Sequence, residues 1–328
     1  MTESDIPVSE GPVRMLGFLL VNDFPLMAYA AIVESFRAAN ALAGRTLYRW
    51  AHVSVDGRPC LASNGATIIP DLTVADRAAC DTIFIVAGGD PTLFADTRTF
   101  AWLRAVAQTN SMIVGVSGGA YVMARAGLLE GRRATIHWEY REAFVDAFPS
   151  TLCEPGLYVF DGRRVTCAGG LAGMDLAVEM IEREHGRPLA IAVSDWFIRS
   201  GTRAPSQPQR AGLRDRYGTA NERVLRALAL MEDQVEDPAS REAIARVSGV
   251  GVRQLERLFR AHLGHGIGAT YLRIRLDRAE QLLRSTSLTA TMVAVASGFA
   301  SASDFSRAFR RRFGRSPSNR PGSTRRGR

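Results

Sequence analysis

Lysine is absent from this sequence: all 41 basic residues are arginine. The bias fits a high-GC genome better than a functional demand. Cysteine is scarce. Cys60, Cys80, Cys153 and Cys167 show neither C-x-x-C spacing nor a nearby histidine cluster. That excludes a disulfide framework and a zinc site, and fits the reduced, mostly buried thiols of a cytoplasmic protein. No metal or other cofactor is implied. Long apolar runs are missing too. The run Met15 to Val21 is too short to span a bilayer and follows an acidic, polar start, so neither a membrane segment nor a targeting peptide is expected.

What is present is ordinary for a globular chain, with 46% hydrophobic and 23% charged residues and enough length, 328 residues, for two full cores. The net charge of +8 is unevenly spread. From Ala211 onward there are 22 arginines and 11 acidic residues; before it, 19 and 22. A neutral-to-acidic front and a basic back point to a polyanionic partner for the back half alone.

The back half holds one pattern twice. The first copy is "SREAIARVSGVGVRQLERLFR", Ser240 to Arg260, and the second is "LTATMVAVASGFASASDFSRAFRRRF", Leu288 to Phe313. In each, apolar residues at helical spacing (Ala243, Ile244, Val247; Val293, Ala296) lead to a glycine that breaks the helix, Gly249 or Gly298. The next helix carries an apolar stripe (Leu255, Leu258, Phe259; Phe305, Ala308, Phe309) opposite a polar face. This is the sequence form of a helix-turn-helix. Two copies joined by one long helix, Ile267 to Leu283, are far more specific than one. The stretch resembles the DNA-binding domain of AraC/XylS-type transcription regulators, and "GFASASDFSRAFRRRFGRSP" is close to that family's C-terminal signature. Asp304 and Asn319 stand where the family more often has His and Tyr. The resemblance places base-reading positions at Arg253, Glu256 and Arg257 in the first copy, and at Ala302, Ser303, Ser306 and Arg307 in the second.

In the front half, strand-like and helix-like segments alternate. Met15 to Val21 and "DTIFIVAGG" (81–89) read as buried parallel strands, "RWAHVSV" (49–55) as a further strand, and Ala28 to Ala41 as a helix. A helix over 97–109 follows, then "MIVGVSGGAYVMARAGLL", a strand, a sharp turn at Ser117 and a helix. "RRATIHW", "LYVFDGRRVTCAGG" and the run Met174 to His185 complete the alternation. The pattern means a parallel sheet covered on both faces. Residues 201–220, rich in Gly, Pro, Arg and Gln without apolar periodicity, read as a linker, and residues 1–12 and the Arg-rich end after Pro317 as mobile tails.

Gly115-Val116-Ser117-Gly118-Gly119 matches G-x-S-x-G, which seats a nucleophile on a strained turn between strand and helix. Read alone, it suggests a serine hydrolase, with Asp161 or Asp175 and His185 as partners. His185, after an amphipathic helix, reads as a surface residue. "GVSGGAYVMARAGLLEGRRATIHW" and "FIVAGG", however, resemble the class I glutamine amidotransferase-like fold of the ThiJ/PfpI superfamily. "VESFRAANALAG", "YRWAHVSVDG" and "RVTCAGGLAGMDLAVEMI" are similar to the version fused to an AraC-type domain. Enzymes of that superfamily carry Cys at the position of Ser117, often with a His beside it or an H-x-E pair later; here the neighbour is Gly118, and no H-x-E pair is expected in the domain. The exchange removes the readily ionised thiol. The resemblance further implies that Glu34 reaches the turn and that Gly88 and Gly89 offer backbone N–H groups beside it, with His137 close by. Trp138 and Tyr140 are aromatic candidates for the pocket wall, suited with Glu34 to a cationic amine.

The expected architecture is therefore an α/β, parallel-sheet, flavodoxin-like sandwich over 13–200, a linker over 201–220, and an all-α double helix-turn-helix domain over 221–320. The expected role is a non-enzymatic, homodimeric transcription regulator that binds double-stranded promoter DNA and a small-molecule effector of the amino-acid or quaternary-amine class. RNA polymerase is a further candidate partner. The alternative is a ThiJ/PfpI-type or serine hydrolase-like enzyme with a DNA-binding appendage.

Overall fold

A computed structural model of the chain describes residues 11–76 and 79–319. The expected tails lie outside the described residues up to residue 10 and from residue 320 onward. The chain divides into two compact units between Gln209 and Arg210.

The first unit runs β1 (Arg14–Leu20), α1 (Leu26–Leu42), β2 (Tyr48–Ser54), β3 (Cys60–Leu61), β4 (Thr67–Ile68), β5 (Leu72–Thr73), β6 (Thr82–Ala87) and α2 (Thr97–Ala107). It continues through β7 (Met112–Ser117), α3 (Gly119–Arg125), β8 (Arg133–Ala134), α4 (Arg141–Ala147), β9 (Leu152–Cys153), β10 (Tyr158–Asp161), β11 (Arg164–Cys167), α5 (Ala172–His185) and α6 (Arg187–Trp196). Its main sheet has the order β10-β11-β7-β6-β1-β2-β5, parallel except for the β10–β11 pair. Every residue of β6 is buried, which is why the strand reads as an unbroken apolar run: helices cover both faces. Alternate residues feed two cores. Phe18, Phe36, Phe84 and Val114 fill one face, and Leu19, Ile83, Ile85 and Ile113 the other.

The chain leaves β1 for β2 on one side and returns to β6 on the other. β1 and β6 therefore flank the switch point, where the carboxyl ends of an open α/β sheet leave a crevice. One expected strand is largely absent. Within "RRATIHW" only Arg133–Ala134 pairs, with β9, because the Thr135 N–H donates to the Thr166 hydroxyl instead of to a neighbouring strand. His137 and Trp138 consequently lie in the loop before α4.

The second unit runs α7 (Leu213–Tyr217), α8 (Glu222–Asp233), α9 (Arg241–Ser248), α10 (Val252–Leu263), α11 (Ile267–Ser285), α12 (Ala290–Ala296) and α13 (Ala302–Phe313). It has two cores strung along α11. Ile267, Tyr271 and Ile274 pack with Leu228, Ile244, Leu255 and Phe259; Leu276, Leu282 and Leu283 pack with Val293, Phe305 and Phe309. Each helix-turn-helix thus has its own small core. Both turns use a left-handed glycine, Gly249 at φ +68° and Gly298 at φ +72°. Ser240, Thr289 and Ser301 cap the helices that follow them, each accepting a backbone N–H. Val247 lies outside the stripe; Ile244, Ala245 and Ser248 are the buried residues of α9.

The stretch expected as a linker is not one flexible piece. Residues up to Gln209 belong to the first unit, held by polar bonds that leave no apolar periodicity to read, while α7 belongs to the second, where Arg216 and Tyr217 both bond Glu232. No helix among the described residues is long and apolar enough to cross a membrane.

Candidate functional site

Ser117 ends β7 with φ +58°, a left-handed conformation that a non-glycine residue keeps only when its surroundings enforce it. Those surroundings are built from glycine. A Cβ on Gly119 would sit against Ile85 O. One on Gly115 would lie 2.7 Å from Ala120 N, and one on Gly169 2.7 Å from Ser117 Cβ. The turn is locked by the Gly118 N–H, which donates to Ala87 O at 2.9 Å. That N–H is therefore already used and does not await a ligand.

Ala87 and Ser117 are register partners, so the residues after β6 lie beside the turn. Gly88 passes beneath Asp23, with a would-be Cβ 2.5 Å from Asp23 O; Gly89, at φ +60°, faces the Asp23 side chain at 3.0 Å. Asp23 is itself left-handed, at φ +66°. The Tyr140 hydroxyl donates to Gly89 O at 3.0 Å. The His137 ring lies 5.7 Å from that of Tyr140 and 5.5 Å from that of Trp138. Gly88, Gly89, His137, Trp138 and Tyr140 are thus linked in one chain of contacts that begins directly after Ala87, with Asp23 against Gly88 and Gly89. Asp23 is missed by sequence reasoning. Its signal is the "NDFP" turn directly after β1, at the switch point.

Glu34 makes none of the contacts that join these residues. It lies nine residues beyond Pro25, the residue of α1's start that touches Gly88, or about 13 Å along the helix axis. Its carboxylate pairs with Arg37 at 2.6 Å, and its charge acts on Tyr29.

The hydrolase constellation does not assemble either. Asp175 is fully buried in a clamp of Arg199 and Arg203. His185 closes α5, whose first residues adjoin Gly169, and so stands about 20 Å along the axis from the Ser117 end. It is not a surface residue: it is 9% exposed and packs edge-on to Tyr48 at 5.5 Å. Asp161 accepts from Arg132 and from the Arg133 N–H. Among the described residues, no side chain hydrogen-bonds the Ser117 hydroxyl. The nearby Cys167 cannot substitute, because burial pushes its thiol up to about 12. The expectation that the domain has no H-x-E pair is wrong, and Glu139 is a further missed residue. The run His137-Trp138-Glu139 is an H-x-E pattern, and the Glu139 N–H donates to His137 Nδ1 at 3.3 Å, with a Glu139 carboxylate oxygen 3.8 Å from the same nitrogen.

On the second unit, Arg253 and Arg257 are exposed on α10, and Ala302, Ser303 and Arg307 on α13, with Ser306 half-buried. Glu256 differs from its expected role. It accepts the Ile267 N–H at 3.2 Å and pairs with Arg260 at 3.2 Å, capping α11 and tying it to α10. Arg307 pairs with Asp304 one turn earlier on α13.

Comparison with known proteins agrees with both units. Residues 19–183 match the DJ-1/PfpI family, and residues 244–320 match a helix-turn-helix domain family. The chain is 41% identical over 306 residues to the HTH-type transcriptional regulator GlxA of Rhizobium meliloti, covering 93% of this chain and 94% of that one. It is 40% identical to the HTH-type transcriptional regulator CdhR of Pseudomonas aeruginosa, covering 92% and 89%. The crystal structure of an AraC family transcriptional regulator from Pseudomonas putida superposes with a TM-score of 0.52 at 22% identity, over 57% of this chain and all of that one. That likeness shows the fold. The full-length matches show more: the chain belongs to the HTH-type transcriptional regulators that join a DJ-1/PfpI domain to an AraC-type helix-turn-helix domain.

Proposed function

We propose that the DJ-1/PfpI unit binds a small metabolite at the Ser117 turn without turning it over, and that occupancy adjusts promoter binding by the helix-turn-helix unit. The observation that carries this reading is the turn itself. Its strained geometry is retained in full, yet the serine on it has no hydrogen-bonded base, and an unassisted hydroxyl is a weak nucleophile. The wall of His137, Trp138 and Tyr140 with the Asp23 carboxylate beside Gly89 suits a small cationic amine, such as an amino acid or a quaternary amine. Asp23, not Glu34, supplies the negative charge. Arg253 and Arg257 on α10, and Ala302, Ser303, Ser306 and Arg307 on α13, face the bases in successive major grooves about 34 Å apart. The functional form is a homodimer in the cytoplasm, with RNA polymerase as a candidate contact at the promoter.

The test pairs two measurements. Promoter response to the effector should persist in a Ser117→Ala strain, with effector affinity lowered by about 0.5–1.5 kcal/mol for one hydrogen bond. A fluorophosphonate should leave the wild-type protein unlabelled. The literal G-x-S-x-G spacing of Gly115 to Gly119 supports a second reading, a serine hydrolase. Stoichiometric labelling at Ser117, with regulation abolished in the alanine strain, would establish that reading instead.

A further inference from the structure

The strongest feature outside the Ser117 turn is the segment that leaves α6 and ends at the unit boundary. Arg199 and Arg203 hold it at one end. Both pair with Asp175, and the Arg203 N–H and Nε donate to the same carboxylate at 3.0 and 2.9 Å. Asp175 is fully buried in the first turn of α5, just after Gly169 and Gly170, the residues behind Ser117. In the middle, Pro205 O accepts the Leu157 N–H at 2.7 Å. Gln209 holds the other end. Its Oε1 accepts the Trp138 N–H at 2.8 Å, and its Nε2 donates to Ile136 O and Gly156 O, each at 2.9 Å, and lies 3.2 Å from Thr135 Oγ1. A continuous chain of contacts therefore runs from Gly89 through Tyr140, His137 and Trp138 to Gln209. The next residue, Arg210, begins the second unit and lies electrostatically beside Arg216, Glu232 and Tyr217.

We propose that Arg199–Gln209 is a coupling strap, with Gln209 as its latch. An occupant of the Ser117 wall displaces the Trp138 backbone, the Gln209 amide loses its partners, and the strap that leads into Arg210 slackens. The latch has two states for a chemical reason. The primary amide satisfies a donor and buried acceptors at once, and withdrawing it leaves the Trp138 N–H and Ile136 O to be satisfied elsewhere together. Coupling requires an element with two arrangements that both sites bias, and the closed latch is the first of them. This inference rests on the reading that the Ser117 turn binds an effector; Gln209 is a positioning residue and touches no ligand itself.

The test needs no natural effector. In the full chain, Ser117→Cys supplies a thiol at the turn, and iodoacetamide modification, located by mass spectrometry, supplies a covalent occupant. Two readouts follow: deuterium uptake in residues 199–209, and affinity for a duplex selected in vitro by the full chain. Modification should raise the uptake and shift the affinity by about fivefold or more. Adding Gln209→Glu, which keeps the shape but cannot donate to Ile136 O and Gly156 O, should raise the uptake beforehand and abolish the response. Gln209→Ala serves as a milder second variant, with circular dichroism to confirm folding. An equal affinity shift with and without the Gln209 variants would overturn the strap and leave the regulator reading standing. Confirmed modification with no affinity shift in the parent would overturn the reading that occupancy of the turn adjusts promoter binding, and the strap with it.

Discussion

Gly119 shows how tightly the Ser117 turn is packed, because any side chain there meets the Ile85 carbonyl on the neighbouring strand. Backbone cannot yield as a side-chain tip can, so Gly119→Ala should destabilise the first unit by about 1–3 kcal/mol, read as a lower denaturation midpoint in urea. The tyrosines give a second residue-scale prediction. Burial pushes the Tyr29 phenol up to about 12, and it raises Tyr48, Tyr158 and Tyr217 as well, each with a carboxylate nearby. The folded values lie above the unfolded value of about 10, so the folded state holds protons that the unfolded state releases. The stability this represents is complete below that pH and is lost as pH climbs through the folded values. Tyrosinate absorbance in an alkaline titration should therefore rise together with the loss of ellipticity; most tyrosines ionising early in an intact fold would contradict it. At this scale the sequence is only partly legible. The G-x-S-x-G spacing locates the turn because its glycines are demanded by backbone contact. The seat of Glu34 is not legible, because a helical carboxylate carries no mark of which end of its helix meets the site.

Among elements, α10 and α11 make the sharpest contrast. Glu256 and Arg257 are adjacent in sequence, yet one caps α11 and the other faces solvent. Glu256→Ala should lower the stability of the second unit by about 0.3–1 kcal/mol and leave base preference intact. Arg257→Ala should leave stability intact and weaken specific DNA binding by about 1–3 kcal/mol if it reads a guanine. If it contacts phosphate, the loss is uniform across sequences and the salt slope falls by about one. Gel-shift titrations on specific and scrambled duplexes, with thermal unfolding alongside, separate these outcomes. The helices themselves are plain in the sequence, since caps, glycine turns and apolar stripes are local signals. The two-residue strands β8 and β9 are not, because a distant threonine hydroxyl takes the Thr135 N–H and ends the strand after Ala134.

At the scale of the molecule, each unit has its own cores. A fragment of residues 210–328 should therefore fold alone and bind DNA. If the first unit dimerises the chain as proposed, the fragment should bind more weakly than the full chain, because paired sites gain by effective concentration. A fragment without helical ellipticity would refute the boundary. Composition makes the division visible as a charge asymmetry, but it cannot place the junction, since Gln209 and Arg210 look alike in a polar stretch. That junction has a practical meaning for recombination between related regulators. A hybrid gene spliced at residue 200 would give the donor's sensor a foreign Gln209 segment, and the receiving sensor would then carry a lock without its key. Splicing after Gln209 keeps the amide with the backbone it fits, so the exchangeable part is the sensor together with the strap.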